Sequence, residues 1–243
     1  GSTWGPRPHT ILISKLYKDG SLPLWIPYMG TGQPLAANMD SSAFNPLRVF
    51  LYLYPSTFMW DMFVIFRLLL AGIFAYLYMR AIQLSHLTSL FSAILFMFSG
   101  YFIFNIDMHH LDVEIFLPFV FLCFEMMIQK NDSIKWGAFS CMAIFFTVVG
   151  GQPQSAFLIL VFGYIYYLFR VFSFRENWHL KLIAKYSAVL ALINIVGFSL
   201  SSFLLIPFYE FMKLASHNHS EGLGLSYNPH LSDIMSFFVP YYL

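Results

Sequence analysis

Charge is what this chain has least of. Of its 243 residues only 10% are Asp, Glu, Lys or Arg, against 58% hydrophobic and 20% aromatic, and the mean hydropathy is +0.66. A soluble domain carries about 25% charged residues, so water is excluded as the solvent for most of this surface and lipid is the solvent that resolves the excess. The net charge is +1, which leaves no global basic field to attract nucleic acid. Cysteine is nearly absent. Cys123 and Cys141 both lie inside apolar runs without a neighbouring ligand pattern, which argues against a disulfide framework or a zinc site and for buried thiols. A leading apolar run of the signal-peptide kind is missing too: residues 1–55 are mixed in polarity and rich in Pro, Gly and aromatics. Both ends read as cuts, so the chain is expected to be a piece of a longer membrane protein.

What is there in quantity is apolar sequence of spanning length. A transmembrane helix needs about 20 mainly apolar residues, and six runs qualify, at roughly 58–82, 86–105, 112–129, 134–150, 154–174 and 182–208. The expected fold class is all-α, a polytopic transmembrane helix bundle of about six spans. Residues 1–55 are expected to form an outer-face loop segment, 56–212 the bundle, and 213–243 a further non-cytoplasmic loop. Orientation follows from Lys and Arg, which collect at Arg80, at Lys130 and Lys135, and at Arg170, Arg175, Lys181 and Lys185. The alternate loops hold none, which puts the basic loops in the cytoplasm and the others outside. Arg7, Lys15, Lys18 and Arg48 in the first segment count against this assignment. Four polar stretches then share the outer face: 1–55, 106–114, 150–155 and 213–236.

The first stretch runs Pro23-Leu24-Trp25-Ile26-Pro27-Tyr28 and on through Gln33, Asn38 and Asp40. Its Pro and Gly residues fix turns that either present Gln33, Asn38 and Asp40 to a polar ligand or use those groups to cap themselves. The second, Asp107-Met108-His109-His110-Leu111-Asp112-Val113-Glu114, places carboxylates beside imidazoles at a helix junction. Such groups serve as general base, as metal ligands or as plain helix caps. No His-x-x-x-His or Glu-x-x-His spacing supports a metal. In the third, Gly150-Gly151-Gln152-Pro153-Gln154, Gly closes one helix and Pro opens the next, which leaves both glutamines available for sugar hydroxyls or phosphate oxygens. The fourth carries His217 and His219 in a polar loop. Inside the spans, Arg67 either snorkels to the surface or faces the bundle and meets an anion, Glu125 is expected to snorkel, and Asn194 to tie helices together.

The ordered motifs Pro23-Leu24-Trp25-Ile26-Pro27-Tyr28, Gly32-Gln33-Pro34-Leu35, Ala37-Asn38 and Phe44-Asn45-Pro46-Leu47 carry a family likeness. They are followed by Ala71-Gly72, Tyr76-Leu77, Arg80, Phe98-Ser99-Gly100, Leu117-Pro118, Gly151-Gln152-Pro153-Gln154 and Glu221-Gly222 with Pro229. The set resembles the YfhO family of bacterial multi-pass membrane proteins. Departures are Ile26 where Asn is usual, Asp40 where Gln is common, and Phe116 where Trp precedes the Leu-Pro pair. The resemblance implies a GT-C type glycosyltransferase of the bacterial cytoplasmic membrane. Such an enzyme takes a sugar from a polyprenyl-phosphate donor and transfers it, on the outer face, to a cell-envelope glycan such as a teichoic acid. On this reading Asp40 or Asp107 is the catalytic base, although the family's principal acid is expected upstream of Gly1. His109 and His110 contact phosphate or acceptor; Gln33, Asn38, Gln152 and Gln154 contact sugar; Arg67 faces the lipid phosphate. No cofactor is expected, with a divalent metal left open. The competing readings are a transporter or flippase of a lipid-linked sugar and a non-catalytic accessory subunit.

Overall fold

A computed structural model of the chain describes residues 6–28, 32–129, 133–174 and 180–219. It separates into two compact units, Gly1–Phe208 and Tyr209–Leu243, and apart from the second half of the helix Ser202–His219 the first contains everything discussed below. Of the second, the Lys213 ammonium lies 4.3 Å from the centroid of the Tyr209 ring; residues 220–243, with most of the fourth polar stretch, and the side chains of His217 and His219 lie outside the described part.

The first 55 residues are more than a loop. A 13-residue helix, α1 (Pro6–Lys18), precedes a minimal antiparallel pair, β1 (Trp25–Ile26) with β2 (Gln33–Pro34). Two single 3-10 turns at Met39–Ser41 and Pro46–Arg48 follow, and then the short helix α2 (Val49–Leu53). On α1, Thr10, Ile13 and Ser14 are buried, the spacing of one face of a helix. Ser14 Oγ donates to the Tyr52 carbonyl and Tyr17 Oη to that of Ala43, which fastens α1 to α2 and the turns before it.

The apolar runs become α3 (Thr57–Ala81), α4 (His86–Met97), α5 (Gly100–Phe104), α6 (Leu111–Glu114), α7 (Leu117–Gln129), α8 (Ser133–Val149), α9 (Pro153–Phe174), α10 (Leu180–Leu200) and α11 (Ser202–His219). Caps punctuate them. Ser56, Ser85 and Ser99 accept from the backbone N–H groups of Met59, Thr88 and Phe102, opening α3, α4 and α5. Ser99 thereby restarts a helix inside the second expected span. The third run is likewise broken, into α6 and α7, and the sixth is bent by 77° at Ser201. By length and hydropathy, three helices among the described residues are fit to cross a membrane: Thr57–Ala81, His86–Phe104 (counted across the restart at Ser99) and Pro153–Ser173. A fourth span results if the bent pair counts as one. By that measure the six apolar runs give three or four spanning helices among the described residues, because the third run is divided into α6 and α7, α8 has 17 residues, and the sixth run is a bent pair.

Most of each spanning helix faces outward: only 28%, 17% and 33% of the three is buried. Phe66, Leu69 and Ile73 on α3, Leu87 and Phe91 on α4, and Phe162, Ile165 and Phe169 on α9 are among the exposed side chains. An apolar belt of this extent belongs in lipid. The interior joins α7, α8, α9 and α10 through Val120, Phe124, Ile144, Ile159 and Ile193, and a second cluster packs Leu68 and Ala71 of α3 on Leu111 and Ile115.

Glu125 does not snorkel. It is fully buried, accepting from Arg170 through both oxygens, from Tyr166 Oη at 2.5 Å and from Gln129 Nε2 at 2.6 Å. Gln129 also donates to the Ala81 carbonyl at the end of α3. A buried carboxylate needs such partners, and α9 brings them in a way that the α7 sequence alone does not reveal. Asn194 does tie helices: it accepts from Tyr164 Oη of α9.

Gly151 has φ +103°, and a Cβ there would fall on Ser42 Oγ and approach the Met39 carbonyl to 2.8 Å. The Gly-Pro junction between α8 and α9 is therefore also the place where the N-terminal segment is received. Gly151→Ala is expected to lower stability by about 1–3 kcal/mol, from backbone strain and displacement of the 39–42 turn. A thermal melt of the detergent-solubilised protein checks this, with Gly20→Ala as comparison: Gly20 also has positive φ but open space around its Cα.

Candidate functional site

Three of the four polar stretches meet at Asp112. This residue is fully buried at the start of α6. Its Oδ2 accepts from Arg48 Nε at 2.5 Å and from Asn45 Nδ2 at 3.1 Å, and its Oδ1 accepts from Arg67 Nη1 at 2.7 Å. Asn45 comes from the N-terminal segment and uses both ends of its amide. Its Oδ1 caps the following turn by accepting from Leu47 N, while Nδ2 also reaches the Gly150 carbonyl at 3.4 Å. Ser42 Oγ donates to the same carbonyl at 3.2 Å. Residues 42–48, 106–114 and 150–151 are thus stitched together by hydrogen bonds between segments more than 60 residues apart.

Two guanidinium groups on one carboxylate leave a positive charge in excess, with both arginine side chains only 2% exposed. Backbone carbonyls of Met108 and Ile106, 3.0 and 2.7 Å from Arg67, take up part of it. The face of Phe63 takes more, its centroid 4.9 Å from Arg67 Cζ and 5.9 Å from Arg48 Cζ. Arg67 Nε is buried without a hydrogen-bond partner among the described residues. Arg67 therefore faces the bundle, as one of its two expected readings had it, but the anion it meets is Asp112. Arg48, counted among the loop charges in the sequence, is an internal partner of the same carboxylate.

Above this buried core is an accessible polar layer. His109 Nε2 lies 3.6 Å from Asp40 Oδ1, with side-chain exposures of 27% and 57%, an ion pair whenever the imidazole is protonated. The His109 and His110 rings are 6.4 Å apart. Asp107 is partly buried and acts on Arg67 through space. His9 of α1, which no sequence motif singled out, belongs to this layer. Burial first, then the charges of His109 and Arg48, lower its pKa from the ordinary 6.5. Burial is also the main cause of the lowered pKa of His110, with Glu114 opposing it and His109 adding to it.

Linkage then gives a sign. A histidine whose folded pKa is depressed takes up its proton in the unfolded chain first, so stability is full above about pH 6.5 and falls as the pH drops through the folded values. The melting temperature is expected to fall between about pH 7.5 and about pH 5, and to fall less in a His9→Gln, His110→Gln double variant. Equal slopes for the two proteins would contradict this assignment.

The remaining expected residues divide. Asn38 accepts from the backbone N–H of Asp40 at 3.2 Å and caps its own turn. Gln33 is exposed on β2 and Gln154 on the first turn of α9. Gln152 is half-buried, with its Oε1 shut from water and without a partner among the described residues. Asp40 and His109 are brought together; Gln33 and Gln154 are exposed on other elements. Glu114, read only as part of an acidic run, is held by Tyr101 Oη and Ser155 Oγ, both at 2.9 Å. Among the described residues no group of three His, Cys, Asp or Glu side chains is arranged to hold a metal ion. Beside Asn45, an apolar groove of about 490 Å³ runs between α1 and α2, lined by Tyr17, Phe44, Val49, Tyr52 and Leu53, with Lys18 among its walls.

Asn45, Arg48 and His9 were missed because their part in the site runs through partners distant in sequence; the local role of Asn45 is only the cap on Leu47 N. The one local signal for His9 is its place on the same helical face as Thr10, Ile13 and Ser14. No curated protein and no solved structure matches the chain. A family model described as bacterial membrane protein YfhO matches residues 39–228, a stretch that begins one residue before Asp40 and includes every member of the Asp112 cluster. With its apolar helices and this match over most of its length, the chain belongs to the YfhO family of bacterial membrane proteins.

Proposed function

We propose that the protein is a membrane glycosyltransferase of the GT-C type, moving a sugar from a polyprenyl-phosphate donor to a cell-envelope glycan on the outer face of the bacterial cytoplasmic membrane. The observation that supports this reading is the pairing of an accessible carboxylate, Asp40 beside His109, with a buried cluster holding one positive charge in excess, Arg48 and Arg67 on Asp112. Sugar transfer from a lipid phosphate asks for both: a base at the acceptor and positive potential at the leaving group.

In this mechanism an acceptor hydroxyl attacks the anomeric carbon while its proton passes to Asp40. The bond from that carbon to the phosphate oxygen breaks, and the lipid phosphate departs with the electron pair. His109 and His110 donate to phosphate or acceptor, and the excess charge of the arginine cluster acts on the departing oxygen through space, since Asp112 and backbone carbonyls occupy both terminal nitrogens of Arg67. Gln152, Gln154, Asn38 and Gln33 serve the sugar, and the groove beside Lys18 and Asn45 takes the first isoprene units of the donor. This topology uses about six crossings, with the shorter helices α7 and α8 counted as spans and residues 1–55 outside.

Membranes carrying the full-length protein are to be incubated with a labelled polyprenyl-phosphate sugar. Label in an envelope glycan is the expected result. Label that crosses the bilayer without transfer would replace this reading with a flippase, and neither outcome would leave a non-catalytic subunit.

A further inference from the structure

A second groove lies between α4–α5 and α9 and adjoins the accessible layer at His110, whose ring is 6.1 Å from that of Tyr101. It encloses about 360 Å³, walled by Phe96 and Leu117 on one side and by Leu158 and Phe162 on the other, with Glu114 among its lining residues. Both flanking elements belong to candidate membrane spans, and Leu158, Phe162 and Tyr101 are each more than half exposed, so the mouth opens toward lipid rather than water. Glu114 is a costly residue to place there. Its Oε1 takes two hydroxyl donors, Tyr101 Oη from α5 and Ser155 Oγ from α9, while its Oε2 is shut from water and has no hydrogen-bond partner among the described residues. A buried acceptor left unpaired beside an apolar groove calls for a donor that the described residues do not supply.

The donor count selects its chemistry. A phosphate or carboxylate head is repelled by Glu114. An ammonium head carries three N–H donors and would find a single unpaired acceptor, leaving two donors desolvated. A hydroxyl carries one donor. The terminal torsion of a Glu side chain is soft, so a small swing of the carboxylate presents Oε2 to the groove while Tyr101 and Ser155 keep hold of Oε1.

We propose that this groove binds a neutral membrane glycerolipid with a free hydroxyl, of the diacylglycerol type, its acyl chain along Leu158 and Phe162 and its hydroxyl donating to Glu114 Oε2. This site goes beyond the proposed sugar transfer and does not depend on it.

The test uses the full-length protein in nanodiscs and a diacylglycerol bearing a photoreactive diazirine on one acyl chain. Its controls are the same lipid with the hydroxyl acetylated and a diazirine phosphatidylethanolamine. The free-hydroxyl probe is expected to label peptides of α4–α5 and the first half of α9 about ten-fold more than the acetylated one, as one hydrogen bond to a carboxylate allows. Glu114→Met is expected to abolish that preference. Equal labelling by the free and acetylated probes in the wild-type protein would mean a groove for hydrocarbon alone. Preferential labelling by phosphatidylethanolamine would mean an ammonium site, and labelling outside these peptides would mean no site here. Each of the three overturns the proposal, and none requires the variant to fold.

Discussion

Replacing Asp112 with alanine is expected to destabilise the folded chain by about 3–5 kcal/mol, the cost of removing one partner from a buried ion pair. The size follows from what remains. Arg48 and Arg67, each 2% exposed, would keep their charges in a site closed to water with no carboxylate between them. Among the described residues, Phe63, the carbonyls of Ile106 and Met108 and the more distant charge of Asp107 would be what remains to offset them. Asn45 would lose one of its acceptors as well. Because Arg48 lies just before α2, Arg67 on α3 and Asp112 on α6, the loss also loosens the N-terminal segment from the bundle. Chemical or thermal unfolding of the detergent-solubilised full-length protein measures the effect, and tryptic cleavage after Lys18 is expected to accelerate. A triple variant, Arg48→Met, Arg67→Met and Asp112→Leu, is expected to regain much of the stability, since a buried ionic cluster is often replaceable by apolar side chains of similar volume. A loss below about 1 kcal/mol in Asp112→Ala, the value of an exposed pair, would show that the cluster is open to water.

The second large effect concerns activity. On the proposed mechanism, Asp40→Asn lowers the transfer rate by about 10²–10⁴-fold, the usual contribution of a positioned general base, and leaves the melting temperature nearly unchanged. The separation of the two readouts follows from position. Asp40 is 57% exposed and, among the described residues, its carboxylate meets only His109, at 3.6 Å, so the fold loses little when the charge is removed. Asp107→Asn is expected to change the rate less than about ten-fold, because Asp107 acts on Arg67 through space and is not paired with an imidazole. Initial rates with a saturating labelled donor distinguish the two carboxylates. Transfer that survives loss of Asp40, Asp107, His109 and His110 together would sink the mechanism while leaving the Asp112 prediction intact.

Much of the architecture was legible in one dimension. Helix starts are written locally, in Ser56, Ser85 and Ser99 and in Pro153 after the Gly150-Gly151 pair, since capping is a matter of neighbours three or four residues apart. The need for lipid followed from composition, and the family from an ordered set of short motifs. The number of spans was less legible. A run of apolar residues reads the same whether the helix is continuous or restarts, so the breaks at Phe98-Ser99 and Ile115-Phe116 were read as uninterrupted spans. Likewise a Pro- and Gly-rich segment reads as loop, although 13 of its residues form α1; the inward pattern of Thr10, Ile13 and Ser14 is too short to outweigh the flanking turns.

By itself, then, the sequence determined the solvent, the helical class, the family and the pool of polar residues, because each of these rests on composition or on local spacing. The tertiary structure decided who meets whom. It buried Arg48 and Arg67 against Asp112, brought His9 under the charge of His109, moved Glu125 from the lipid interface to Arg170, and left Glu114 with one oxygen unpaired among the described residues. Partnerships across 40 to 110 residues depend on which helix faces pack together, and a buried charge takes its meaning from its partner. Among the described residues Arg48, Arg67, Asp112 and Glu125 are the buried charges, and each is paired with another charged group.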